Sequence, residues 1–267
     1  MSVDVSTCIV AWNAAADLER CLPALEVAAG GLTQEVLVVD NGSTDRTAEV
    51  LHAHSEVEVI RNACNPGITP ARNQAIARAA GRAILMLDAD TIPEPGSIEL
   101  LVGYLDEHPE VGLVGAKLLN VDGSIQESCR RVPTPGLPFL RRPPLSRWAE
   151  HRATVNRHLM REYDHAHPRA VDWVLGACQC YRGELREKLP GGYDERIFSH
   201  GGEDTDWCLR IWKAGYEVHY VPEARIVHAY GHFTRKNPLT KQSLRAFTDY
   251  YYMLRKHCDA RGGYARP

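Results

Sequence analysis

The chain has 267 residues, of which 44% are hydrophobic and 24% charged, with a formal net charge of -3. That length accommodates one sizeable core, and the near balance of charge gives no global argument for binding nucleic acid. No apolar run approaches the roughly 18–20 residues that span a bilayer. The N-terminal residues carry no signal-peptide pattern, so a cytoplasmic protein is expected. Eight cysteines, Cys8, Cys21, Cys64, Cys129, Cys178, Cys180, Cys208 and Cys258, are scattered without a CxxC pair. This usage suits reduced thiols better than a disulfide framework or a zinc site. Cys178 and Cys180, two apart, can share a strand face and are read as packing residues.

In chain order, Ser6–Trp12 (STCIVAW) reads as a strand and Ala15–Ala28 as a helix. Glu35–Asp40 (EVLVVD) is a second strand, followed by the turn NGST and a helix beginning near Asp45. Val57–Arg61 is a third strand, and NPG then breaks the chain before a helix from about Pro70 to Ala80. Ala83–Asp88 is a fourth strand, with a helix from about Gly96 to Glu107. Strands nearly continuous in Val, Ile and Leu that alternate with helices predict an α/β fold, a parallel sheet covered on both faces. Ligands of such sheets sit outside the carboxyl ends of the strands. There Trp12-Asn13, Asp40-Asn41, Asn62 to Asn65 and Asp88 to Asp90 gather.

The second half departs from this rhythm. Residues 129–169 are rich in Arg, Pro and His with little apolar periodicity. A stretch of that length without regular structure is usually functional or mobile. VDWVLGACQCYR then reads as a strand, GGEDTDWCLRIWKAGY as a capped helix, and EVHYVPEARIVHAYG as two strand-like pieces. A helical tail follows from about Thr240 to Asp259.

Two clusters of carboxylates carry chemistry. Asp88 and Asp90 end the fourth strand, and residues two apart on a strand point to the same side. They can converge on one hard divalent cation, which takes oxygen ligands. The plainer alternative is that Asp88 only ends the strand while Asp90 caps the next turn. In the stretch DNGSTD, a strand-to-helix turn explains Gly42 to Asp45, with Ser43 or Thr44 as N-cap. It leaves Asp40 unexplained, a carboxylate placed to accept a hydrogen bond from a base N–H or a ribose hydroxyl.

Read together, STCIVAWN, EVLVVDNGSTD, RNACNPGITPARNQAI with AAGRAILMLDADTIP, WVLGACQCYR and FSHGGEDTDWCLRIWKAGY resemble the family 2 glycosyltransferases. They occur in family order from about residue 5 to residue 230. The later half is most similar to the rhamnosyltransferase-type branch, through RRVPTP and ARIVHAYGH. The resemblance implies the GT-A fold, a Rossmann-like, mostly parallel sheet with helices on both faces and a C-terminal acceptor-binding part. Residues 1–115 would form the nucleotide-sugar-binding half, 116–235 the acceptor-binding and catalytic half of the same domain, and 236–267 the helical tail. The implied activity is inverting transfer of a sugar from a UDP- or dTDP-linked donor to an acceptor hydroxyl, in cell-surface polysaccharide or glycolipid synthesis.

The resemblance also assigns residues. Asp40 would contact the nucleobase, with Ala11, Asn13 and Asn41 beside it. Asn65, Gly67 and Arg72 would lie near the nucleotide and its phosphates. Asp88 would approach the ribose, and Asp90 would hold Mg²⁺ or Mn²⁺ with His228 as a further ligand. Asp204 would be the catalytic base, and Glu203, Gly176 and Ala177 would shape the acceptor pocket. Ala11 stands where many members carry a Thr or Pro that touches the base, which leaves base selectivity open.

The residue types suit that chemistry. A carboxylate that takes the acceptor hydroxyl's proton acts as a general base, and a divalent cation stabilises the leaving nucleoside diphosphate. A helix N-terminus at Asp204 favours its ionised form. The competing reading is simple N-capping by Glu203, Asp204 or Asp206, with Gly215 as the C-terminal stop. A lone histidine such as His228 is ordinarily a packing residue, and His232 is a weaker candidate ligand.

The basic segment has three readings. Arg130, Arg131, Arg141, Arg142, Arg147, Arg152, Arg157 and Arg161 can serve a phosphate-bearing or lipid-linked acceptor, an anionic membrane surface, or a solvated loop. LSRW at 145–148 only superficially resembles the Q-x-x-R-W motif of processive synthases, because Pro144 holds the Gln position. Two rival classes remain. A sugar-nucleotide nucleotidyltransferase expects a Gly-rich, basic phosphate loop after the first strand, and AWNAAADLERC offers neither glycine nor lysine. A non-catalytic sugar-nucleotide-binding module would tolerate Asp204→Asn without loss of turnover. No nucleic-acid partner is expected; the inner face of the cell membrane is the alternative location.

Overall fold

A computed structural model describes residues 2–140, 148, 152–197, 202–229 and 241–257. Strands β1 (Val5–Ala11), β2 (Gln34–Asp40), β3 (Val57–Arg61) and β4 (Ala83–Asp88) pair in parallel in the order β3-β2-β1-β4. Between them run α1 (Ala15–Ala29), α2 (Thr47–His52) and α3 (Ile68–Arg78), and α4 (Ser97–Glu107) follows. Helices α1, α2 and α4 bury Leu18, Leu22, Leu51 and Leu101 on one face of the sheet. Ala71, Ala75 and Ile76 of α3 cover the other. Both strand faces are therefore dry, which is why these strands read as unbroken apolar runs.

Beyond β4 the sheet is mixed. It gains β5 (Thr91–Pro93), β6 (Val111–Leu119), β8 (Arg169–Ala170), β10 (Cys178–Arg182) and β11 (Glu217–His228), giving nine strands among the described residues. β7 (Cys129–Arg130) and β9 (Trp173–Val174) form a separate small ribbon. Strand β6 is missing from the sequence-based expectation because its glycines weaken the strand pattern. Packing demands them: a Cβ at Gly115 would sit 2.7 Å from Val174, and one at Gly112 2.7 Å from Tyr216. β11 reads as two pieces in the sequence but is one strand of 12 residues. Its register against β6 jumps between Val221 and Arg225, around Pro222, which has no N–H to give the ladder.

This topology assembles one functional edge. β10 runs antiparallel between β4 and β6, so Gly176 and Ala177, just before it, stand beside the end of β4. β6 and β11 run parallel to each other, and β5 pairs antiparallel with the end of β11, setting His228 opposite Thr91. That register brings His228 next to Asp90.

The remaining helices are α5 (Leu137–Leu140), α6 (Ala153–His158), α7 (Leu185–Lys188), α8 (Glu203–Lys213) and α9 (Lys241–His257). Trp207 of α8 is fully buried against Tyr181 and Tyr193. Cys178 and Cys180 lie in the core, and the seven described cysteines are free. Burial pushes the Cys178 thiol up to about 12, so it is inert as a nucleophile.

Parts of the Arg/Pro-rich segment are tied to the body. Arg130 lies over the Trp173 ring at 5.0 Å and donates to the Glu127 carbonyl. Arg131 pairs with Asp172, and Arg161 with Glu127. These three arginines therefore have partners within the chain, while Arg141, Arg142, Arg147, Pro144 and His232 lie outside the described residues. Among the described residues, no helix is long and apolar enough to cross a membrane.

Candidate active site

Asp88, Asp90 and His228 offer ligand atoms that all lie within 4.8 Å of one another. His228 Nε2 is 3.4 Å from Asp90 Oδ1. On its far side, Nδ1 lies 2.9 Å from Gln126 Oε1, while Gln126 Nε2 donates to the His228 carbonyl at 2.7 Å. Since the amide nitrogen is spent on a carbonyl, Oε1 must accept, and Nδ1 carries the proton. The Nε2 lone pair of the neutral ring is thereby aimed at the two aspartates.

Burial disfavours a charge on His228, but the hydrogen bond it can donate to Asp90 and the charges of Asp88 and Asp90 outweigh it and raise its pKa. Burial likewise works against the Asp90 carboxylate, and the His228 contact overcomes it and lowers its pKa. Two carboxylates and an oriented imidazole form a donor set that fits a divalent cation taking oxygen and nitrogen ligands. Gln126 escaped the sequence reading because nothing in its neighbourhood marks it. Its replacement by Leu is expected to weaken Mn²⁺ binding about 10–100-fold by titration calorimetry. An unchanged affinity would show that His228 is no ligand.

At the ends of β1 and β2 the polar residues mostly bind one another. Asn13 takes a left-handed backbone, φ 51°, accepts from the Thr44 N–H on its side-chain oxygen at 2.8 Å and donates its own N–H to Ser43 Oγ at 2.9 Å. Asn41 donates to Asn65 Oδ1 and the Gly67 carbonyl and accepts from Asn62. Asn65 also accepts from the Gly67 N–H, shaping the turn that starts α3. Asp40 is 1% exposed; its Oδ1 accepts from the Ser43 N–H at 2.9 Å. Its Oδ2 has no hydrogen bond among the described residues, with Arg61 Nε at 3.5 Å. Ala11 is fully buried beneath this edge, whereas Trp12 is 56% exposed on it. The indole escaped the residue assignments, although an aromatic at a strand end is itself a signal.

Arg72 lies inside the protein, 3% exposed, under the edge. Its Nη2 reaches Asp88 Oδ1 at 3.3 Å and the Gly176 carbonyl at 3.2 Å, its Nη1 is 3.9 Å from Glu203, and it lies over the Tyr193 ring. The guanidinium thus joins the end of β4 to the start of α8. Asp204, the second residue of α8, accepts from the Gly176 N–H at 3.2 Å and from the Thr205 N–H at 2.7 Å. Ala177 is buried, and its carbonyl accepts from the Asp88 N–H.

Gly176 is gripped on both sides: a Cβ there would meet Arg72 Nη2 at 2.9 Å and the Asp204 Cβ at 3.3 Å. Gly176→Ala is therefore expected to cost about 1–3 kcal/mol through overpacking, read by urea denaturation; a wild-type midpoint would show that Arg72 yields freely.

An α/β sheet with an acidic, histidine-flanked cluster at its carboxyl edge, facing a carboxylate on a helix from the second half, is the architecture of GT-A enzymes. Solved structures share the fold. The superposition on GalNAc-T7 with UDP, GalNAc and Mn²⁺ has a TM-score of 0.69 at 18% identity, covering 97% of this chain and 49% of that one. For S. aureus TarS 1-349 in complex with UDP-GlcNAc, the TM-score is 0.65 at 17% identity, covering 95% and 65%.

The chain belongs to glycosyl transferase family 2, whose model matches residues 6–160. A second model, the N-terminal domain of galactosyltransferase, matches residues 181–235. The N-acetylglucosaminyl-diphospho-decaprenol L-rhamnosyltransferase of Mycobacterium tuberculosis is 29% identical, over 93% of this chain and 83% of its own length. The pre-mycofactocin glycosyltransferase of the same species is 28% identical over 84% of this chain and 42% of its own.

Proposed function

We propose that the chain is a metal-dependent inverting glycosyltransferase, transferring a deoxyhexosyl or hexosyl unit from a dTDP- or UDP-linked donor to an acceptor hydroxyl. The observation that carries this reading is the Asp88, Asp90 and His228 cluster on the same sheet edge as Asp204, joined to it through Arg72 and Gly176. The donor lies over the half formed by residues 1–115, with Trp12 offering an exposed ring for base stacking and Asp40 Oδ2, which has no hydrogen bond among the described residues, taking a base N–H. Asp90 and His228 would hold Mg²⁺ or Mn²⁺, whose charge, when bound, would supply stabilisation for a leaving nucleoside diphosphate. Asp204 removes the acceptor hydroxyl's proton as the oxygen attacks the anomeric carbon opposite the leaving group. The rhamnosyltransferase relative favours a rhamnosyl donor and a lipid-linked, N-acetylglucosamine-bearing acceptor met at a membrane surface.

A thermal-shift panel of dTDP-L-rhamnose, UDP-N-acetylglucosamine and GDP-mannose, each with Mg²⁺ or Mn²⁺, tests the donor class. A ligand that binds only the folded chain raises its apparent stability by mass action. The largest shift is expected from dTDP-L-rhamnose and only with metal present. A response to GDP-mannose alone would overturn the base assignment, and equal shifts with and without metal would overturn the metal dependence.

A further inference from the structure

We propose that the tail helix α9 is a positioning element for the reaction. His257 and Lys256, acting through the buried Asp206, hold the first turn of α8 and so set Glu203 and Asp204 against the donor edge. The inference rests on the reading of Asp204 as the base.

Asp204 and Asp206 are two residues apart in the first turn of α8. At 3.6 residues per turn they point to roughly opposite sides of the helix. Asp204 faces inward to the Gly176 N–H. Asp206 faces α9, is 1% exposed, and takes His257 Nε2 and Lys256 Nζ on the same oxygen, each at 2.7 Å. The first turn is thus held from both sides, once by the sheet and once by the tail.

The energetics point to register rather than adhesion. Met253 and Leu254 already pack on Leu209 and Ile197, and such apolar contact is non-directional. A buried carboxylate adds cost: the second oxygen of Asp206 has no hydrogen bond among the described residues. Replacing a buried ion pair with apolar residues is often neutral or stabilising, so the pair is a poor glue. What it adds is direction, two short bonds that fix how α9 sits along α8.

The same helix gathers the other segments around that end of α8. Lys256 Nζ also reaches Asp194 at 2.8 Å, and Tyr252 donates to Asp194 at 3.0 Å. Tyr250 and Tyr251 donate to the carbonyls of Thr134 and Pro135. Met253 lies against Gly202, where a Cβ would come within 3.3 Å of it. Gly202 is the residue that caps α8. Helix α9 also lies beyond the residues matched by the two family models, 6–160 and 181–235.

The test uses the full chain and measures nucleoside diphosphate release from dTDP-L-rhamnose with Mn²⁺, with and without an N-acetylglucosaminyl lipid acceptor. His257→Leu keeps bulk and removes the N–H; His257→Gln restores an N–H at similar reach. In His257→Leu, kcat is expected to fall about 10–100-fold, the scale of a small misplacement of a reacting group. The donor KM should stay within about twofold of wild type, and His257→Gln should recover most of the loss. Circular dichroism and thermal midpoints establish that each variant is folded at the assay temperature. A folded His257→Leu with wild-type kcat overturns the proposal, as does a loss confined to donor KM. If His257→Leu does not fold, Lys256→Met, which leaves the His257 bond in place, is judged by the same kcat and KM criteria. Asp204→Asn run in parallel separates the two readings. An inactive Asp204→Asn beside a normal His257→Leu sinks only the tail, whereas a normal Asp204→Asn sinks the base assignment and the tail proposal with it.

Discussion

Asp204→Asn is expected to bind donor as the wild type does and to lose about 10²–10⁴-fold in turnover, the usual contribution of a positioned general base. The substitution is nearly isosteric, but the Gly176 and Thr205 N–H groups sit on different oxygens of Asp204, so the one amide oxygen keeps only one of the two bonds. The larger loss is the capacity to take a proton. Donor affinity by calorimetry and kcat measured together make the result specific. A loss of both would point to collapse of the Arg72 and Gly176 junction instead, and a normal kcat would return the chain to the class of non-catalytic sugar-nucleotide-binding modules.

The second large effect concerns the cation. Asp90→Ala is expected to abolish the gain in nucleotide affinity that Mn²⁺ provides, so that UDP titrated with and without metal gives one value. The wild-type gain should also depend on pH in a direction set by His228. Asp90 raises the His228 pKa above its ordinary value, so near neutrality a proton competes for the Nε2 atom that faces the carboxylates. A metal takes the neutral ring and releases that proton. Mn²⁺ affinity should therefore climb as pH rises through the raised His228 value and level off above it. His228→Gln should flatten the climb. An affinity independent of pH between about 6 and 8.5, in the wild type, would remove His228 from the ligand set.

The folding sign is consistent with this. Without metal, a raised histidine pKa contributes stability that is full below the unfolded pKa and lost as pH rises through the folded one. The lowered Asp90 pKa contributes stability present above the unfolded carboxylate pKa and lost as pH falls through the folded one. The ion pair is thus worth most between those two limits, and cation binding replaces it on the alkaline side.

The parts of the fold that were legible are local in origin. Strands β1 to β4 announce themselves as Val, Ile and Leu runs because both faces of the sheet are covered. Asp40, Asp88 and Asp90 stand out because charges at the ends of such runs have no packing reason. Strand β6 was hidden by glycines whose purpose is set by Val174 and Tyr216 across the interior. Gln126 carries no local mark, since its function comes from meeting His228 through the pairing of β11 with β5 and β6.

Arg72 shows the division most plainly. The family resemblance places it near the nucleotide and its phosphates. The structure buries it over Tyr193 and spends it on Asp88 and on Gly176 and Glu203, the last two of which only the antiparallel insertion of β10 and the approach of α8 bring within reach. The sequence by itself determined the α/β class, the order of the first strands and helices, and the carboxylates at their ends, because periodicity and capping act over a few residues. The joining of β4 to α8 through Arg72, the aiming of His228 by Gln126 and the seating of α9 on Asp206 were decided by tertiary structure alone. Each is a directional contact between segments far apart in the chain, and no local pattern encodes such a meeting.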